Sequence, residues 1–174
     1  MAGPIEIDVW QGEIAELEVD ALVVGANESL FMTAGPAASV RRHGGDPIER
    51  AAGDQGPLRP GEAAATEAGT LAAAYVIHAV GVGHDRIPDR ERLVAAIRSA
   101  LAFAEPLQLR RVAVALIGTE HGVFSAADAA EILLDELTRE GAPPLPESIV
   151  VATANASETH AAGEALARRR ARVT

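Results

Sequence analysis

A chain of 174 residues with 48% hydrophobic and 23% charged side chains has the length and balance of one globular domain with a continuous core, and none of its apolar runs approaches the roughly 20 residues of a membrane helix. Cysteine is absent, which excludes disulfides, thiolate nucleophiles and cysteine-ligated metals and leaves any chemistry to His, Asp, Glu, Ser and Thr. The formal net charge of −10, with every one of the 15 basic residues an arginine, argues against a general nucleic-acid surface, because phosphate backbones are held by clustered cations.

In chain order, residues 5–10 read as a strand, and residues 21–24, Ala-Leu-Val-Val, as a buried central strand that Gly25 and Asn27 break. Gly35-Pro36 supplies a flexible residue and a helix-opening proline, so short helices are expected over 36–42 and 47–52. Segment 53–61, with two prolines and three glycines, is a turn-rich connection, and 63–67 with 75–80 reads as a strand pair around Gly69. Residues 89–104 make an amphipathic helix with Leu93, Ile97, Ala100, Leu101 and Ala104 on one face, stopped by Pro106. Residues 111–117 are a continuous apolar strand, and Ser125 is the N-cap of a helix running through Arg139 to end near Gly141. Residues 142–146, Ala-Pro-Pro-Leu-Pro, form a stiff connector into a last strand at 148–152, followed by a last helix over 157–168.

Arg168, Arg169, Arg170 and Arg172 are expected at a solvated helix end with a frayed tail over 168–174, in preference to a contact with RNA or an acidic partner. The N-terminal Met-Ala-Gly-Pro-Ile-Glu lacks the charged and apolar regions of a signal peptide, so a cytoplasmic protein is expected. Strands alternating with helices predict an α/β chain: a single three-layer α/β/α domain over residues 1–174 with a mixed, largely parallel central sheet.

The loop between the central strand and the first helix is where such folds place ligands, because main-chain N–H groups point above the sheet edge and the helix dipole adds partial positive charge. Any α/β domain has several such loops, and most bind nothing. Order narrows the choice: Gly12-Glu13-Ile14 after the first strand, Gly25-Ala26-Asn27 after the second, Gly61-Glu62, Tyr75 to Val80, then Gly118-Thr119-Glu120-His121-Gly122-Val123-Phe124. This order, over about residues 5–165, resembles the macrodomain family of ADP-ribose-binding proteins.

The resemblance implies a cleft at the strand ends. Glu13 matches an acidic residue that accepts from the adenine amine, with Ile14 beside it; the other role open to Glu13 is an exposed turn glutamate beside Glu16 and Glu18. Gly25, Ala26 and Asn27 match the end of an Asn-Ala-Ala-Asn segment whose last residue bonds the distal ribose, with Val24 at the first Asn. Asn27 is therefore the catalytic candidate if hydrolysis is retained; the alternative is a turn-capping Asn, a task Glu28 and Ser29 are equally placed to do. Ala34 and Gly35 lie in the glycine-rich stretch that holds the diphosphate through main-chain amides, where Thr33 replaces a glycine. Ala37 stands where many hydrolytic members carry an Asp, and alanine is no base.

In the second loop Gly118, Thr119, Gly122 and Phe124 match, with Phe124 expected on the distal ribose, while Glu120 and Val123 replace glycines. A carboxylate about 4 Å from a phosphate costs on the order of 4 kcal/mol at an effective dielectric near 20, so Glu120 is expected either to point away or to weaken binding, with a protonated His121 able to offset it. Asn155 follows the last strand, where the family often places a residue against adenine. His78 reads as a structural core histidine, and no spacing among His43, His78 and His84 matches a metal-ligand pair, so neither metal nor cofactor is expected. Three functions stay open: a module that binds ADP-ribose or an ADP-ribosylated protein or nucleic acid; a hydrolase removing ADP-ribose, or acting on an acetyl or 1″-phosphate ester of it; and a diverged fold that has lost its ligand. The departures at Thr33, Ala37, Glu120 and Val123 favour the binding module, with no membrane partner.

Overall fold

The computed structural model describes residues 5–142, 144 and 146–173. Six strands, β1 (Glu6–Gln11), β2 (Ala21–Gly25), β3 (Ala63–Glu67), β4 (Tyr75–Ala79), β5 (Arg111–Ala115) and β6 (Ser148–Thr153), make one sheet in the order β1-β6-β5-β2-β4-β3. All pairs are parallel except β3 with β4. β2 is hydrogen-bonded on both edges, and Ala21, Leu22, Val23 and Val24 are all buried, as their unbroken apolar run requires. Burying each of the larger three stabilises the fold by roughly 1.5–3 kcal/mol.

Side chains alternate between two cores. Leu22, Val24, Val76, Ala113 and Val150 face α1 (Gly35–Gly44) and α2 (Asp46–Gly53), while Val23, Ile77, Val112, Val114 and Ile149 face α3 (Arg90–Leu101), α4 (Ala126–Leu137) and α5 (Ala156–Val173). The result is the expected three-layer α/β/α arrangement around a mixed, largely parallel sheet. Helix starts are written in local chemistry: Asp89 accepts from the amides of Glu91 and Arg92, Ser125 from that of Asp128, and α1 and α2 open on Gly35-Pro36 and Asp46-Pro47.

The Arg-rich end departs from expectation. Far from fraying at Arg168, α5 continues to Val173. Arg169 is nearly buried and donates to the carbonyls of Ala165 and Glu131, both at 3.0 Å, while pairing with Asp135 and Glu131. Arg168 pairs with Glu131, and Arg170 donates to the Ile7 carbonyl at 2.9 Å. These cations clamp α5 onto α4 and β1. Of the connector at 142–146, Pro143 and Leu145 lie outside the described residues.

Candidate functional site

Topology selects one crevice. β2 and β5 are neighbours, yet the chain leaves β2 through α1 and α2 towards β3 and β4, and leaves β5 through α4 towards β6. The two connections diverge in direction and also to opposite faces of the sheet, because α1 and α2 pack on one core and α4 on the other. An opening at the carboxyl ends of β2 and β5 follows, the switch point at which open α/β sheets take ligands.

The wall after β2 is a tight loop. Asn27 accepts from the Phe31 amide at 3.1 Å and donates to the Phe31 carbonyl at 2.9 Å, so its side-chain amide closes the turn, the alternative role open to it from the sequence. Leu30 sits at φ +62° with its side chain buried, and Phe31 is left 61% exposed. The loop is pinned to its neighbours by carboxylates that no local pattern signals: Glu49 of α2 accepts from the Met32 amide at 2.6 Å and is held by Arg41, and Glu28 accepts from the His84 amide at 2.7 Å. Ala34 and Gly35 are exposed at the start of α1, with Gly35 at φ +57° and open space around it. Ala37 is buried in the apolar core that also holds Met32, Val40 and Ile48.

The wall after β5 approaches closely. At Gly118, φ is +99°, and a Cβ there would lie 2.8 Å from Leu93 and 3.0 Å from the Phe124 ring, so glycine is required for Phe124 to fold over it. The Phe124 amide donates to the Gly118 carbonyl at 2.9 Å. His121, at φ +54°, and Gly122, at φ +69°, are consecutive left-handed residues. Among the described residues, non-glycine positive φ occurs at Leu30, Arg86, His121 and Gln108, and the first three lie in the loops that follow β2, β4 and β5. Each such residue costs on the order of 1–3 kcal/mol, so the strain collects at the edge that carries the crevice.

Glu120 joins the two walls. Its Oε2 accepts from the Gly118 amide at 2.8 Å, and its Oε1 rests on Gly25, where a Cβ would collide with it. Burial raises its pKa, opposed by the amides of Glu120 and Gly118. The carboxylate therefore points into the crevice, against the alternative that it turns away.

At the β1 and β6 end, Glu13 accepts from Ser39 of α1 and from Arg42 at 2.9 and 3.1 Å, with His43 at 3.7 Å. The Ser39 hydrogen bond, then the Arg42 and His43 charges, hold its carboxyl below the usual range against the effect of burial. Three of about four acceptor positions are thus engaged, and one stays open on a side chain 46% exposed. Ile14 is buried in a short 3-10 turn, so it offers the site main chain only. Asn155 is the cap of α5: its Oδ1 accepts from the Glu158 amide at 3.0 Å while Glu158 accepts from Ala154. That duty, rather than base contact, explains its place after β6. An aromatic does stand at this end, from β1: the Trp10 ring lies against Gly12, and Trp10 is in register with Ala152 of β6. The pairing of β1 with β6 is what brings it here.

His78 is 1% exposed on β4, in register with Val24, and its Nε2 is 3.0 Å from Thr66 Oγ1. Burial lowers its pKa to about 4, so it is a neutral structural residue. A depression of about 590 Å³ at the opposite, amino ends of β2, β5 and β6 is lined by Glu18, Asp20, Arg110, Arg111 and Glu147 among others. Within it Arg110 pairs with Glu147 at 3.0 Å, and Asp20 accepts from the Arg110 and Arg111 amides.

The model of the Macro domain family matches residues 23–133, and the chain belongs to that family. An uncharacterized protein of Mycobacterium tuberculosis is 33% identical over 154 residues, covering 88% of this chain and 43% of its own length. One of Pyrobaculum aerophilum is 39% identical over 150 residues, 82% of this chain and 80% of the relative. This chain thus spans less than half of the mycobacterial relative. Among solved structures, a mutant of the Oceanobacillus iheyensis macrodomain with ADPR superposes with a TM-score of 0.87 at 20% identity, covering 98% of this chain and 97% of that one. A Trypanosoma brucei macrodomain in complex with ADP-ribose does so at 0.82 and 23%, covering 92% and 69%.

Proposed function

We propose that this chain binds ADP-ribose, or an ADP-ribosyl group on a protein or nucleic acid, along the carboxyl edge of its sheet, and that it acts as a recognition module. The observation that carries this reading is the switch-point crevice between β2 and β5, walled by Gly25–Gly35 on one side and Gly118–Phe124 on the other. In sheet order the edge continues over β6 to β1, three strand spacings or about 14 Å, where Trp10, Gly12 and the open acceptor position of Glu13 lie. That span is on the scale of a ligand with a base at one end, a diphosphate in the middle and a ribose at the other. Exposed residues Ala34, Gly35 and His121 offer main-chain amide donors for the middle and far parts without Lys or Arg, which suits a chain of net charge −10.

Recognition is favoured over hydrolysis because position 37 is a buried alanine and Asn27 is committed to its own loop. Titration calorimetry with ADP-ribose tests the binding, with the fluorescence of Trp10 as a second readout; saturable one-to-one binding that alters the emission is expected. Absence of heat and of any change in emission up to millimolar ligand would refute the reading. On a mono-ADP-ribosylated glutamate substrate the expected turnover is at or below detection by mass spectrometry.

A further inference from the structure

Glu120 stands where its chemistry is least expected. Loops that receive oxyanions do so with main-chain N–H groups held in consecutive left-handed or turn conformations, and the segment Gly118 to Gly122 has that form. In this chain the segment is already occupied. The Glu120 carboxylate takes the Gly118 amide at 2.8 Å, and its other oxygen fills the space over the bare Cα of Gly25 on the opposite wall. Among the described residues no cation forms an ion pair with it; the next residue, His121, is exposed, and the carboxylate lies over Gly25 of β2. Its surroundings therefore supply a seat for negative charge made of peptide dipoles, and the chain seats its own. The rise of its pKa with burial is in keeping with an acid group that gains little from charged neighbours.

Resting on the ADP-ribosyl reading of this cleft, we propose that Glu120 is an internal occupant of the cleft's oxyanion seat and thereby sets the ligand charge that the cleft accepts. A ligand phosphate reaching this seat must displace the carboxylate or lie beside it, and at such separations like charges in a partly desolvated cleft repel strongly. An uncharged ligand that uses only the base end does not meet the carboxylate. The residue thus weakens binding of diphosphates selectively and leaves the base and its ribose untouched.

Two variants separate charge from bulk. Glu120→Gln keeps the size of the side chain and an acceptor for the Gly118 amide, while Glu120→Gly empties the seat. ADP-ribose and adenosine are titrated into the wild type and both variants by calorimetry, at low and at raised ionic strength. Expected is an affinity for ADP-ribose about tenfold tighter in both variants, with adenosine unchanged within about twofold and the gain shrinking as salt rises. Equal or weaker ADP-ribose binding in the variants overturns the proposal while leaving the ADP-ribosyl reading intact. So does a parallel gain for adenosine, which would indicate a general loosening of the cleft. If adenosine binds but ADP-ribose fails to bind all three proteins, the ADP-ribosyl reading falls, and this proposal with it.

Discussion

Position 37 illustrates how the meaning of a single side chain depends on what surrounds it. Alanine there removes the carboxylate that the family resemblance associates with water activation, and the obvious repair is Ala37→Asp. In this chain, however, Ala37 is buried and belongs to the apolar core that includes Met32, Val40 and Ile48. An aspartate at that point is buried against apolar groups, and a buried unpaired carboxylate destabilises by about 2–4 kcal/mol or stays protonated. The expected outcome is a fall in denaturation midpoint without measurable turnover on mono-ADP-ribosylated substrate, read by urea titration and mass spectrometry. A variant of wild-type stability with robust turnover would show instead that α1 can shift to open the site.

His78 carries a second consequence at the same scale. Its pKa in the folded chain, about 4, lies below the ordinary 6.5, so the unfolded chain takes up a proton that the folded chain refuses. Stability from this group is complete above pH 6.5 and is lost as pH falls towards 4, by about 3 kcal/mol in all. Carboxylates held low by partners, such as Glu13 and Glu131, lose stability at still lower pH and blur the raw profile. Comparing the wild type with His78→Gln by urea denaturation between pH 7.5 and 4 isolates the histidine, and the variant is expected to show a shallower decline. Identical slopes would mean that the imidazole is reached by water.

Among the elements, α5 gives the clearest case of chemistry hidden from the local sequence. Three successive arginines near a chain end read as solvated, yet Arg169 is nearly buried and anchored to Asp135 and Glu131 one helix away. Its partners are more than thirty residues earlier in the chain, so no periodicity along α5 reports them. Arg169→Ala leaves two carboxylates and two carbonyls short of donors and is expected to cost about 2–3 kcal/mol, against no more than about 0.5 kcal/mol for Arg172→Ala on the exposed side. Equal effects in thermal melts would return the segment to the status of a loose end. The strands and helix caps, in contrast, were legible because their determinants sit within a few residues: the run Ala21 to Val24, Asp89 before Arg90, Ser125 before Ala126.

For the molecule as a whole, the architecture followed from alternation of strand and helix patterns, and Gly25 and Gly118 stand at the end of β2 and in the loop after β5. What the pattern could not carry was direction. Glu120 lies on a glycine 95 positions earlier, Asn27 turned back on its own loop, and Trp10 came beside Ala152 through the pairing of β1 with β6. Each of these depends on which strands become neighbours, and neighbourhood in a crossover sheet is a property of the complete topology.

That same topology gives the two walls different supports. The wall after β2 rides on the core shared by α1 and α2, and the wall after β5 on the core shared by α3, α4 and α5. The two sides of the opening are therefore packed on different helical layers, across one continuous sheet in which β2 and β5 are paired. The Glu120 carboxylate, held by the Gly118 amide and resting on Gly25, is the side chain that spans from the wall backed by one layer to the wall backed by the other.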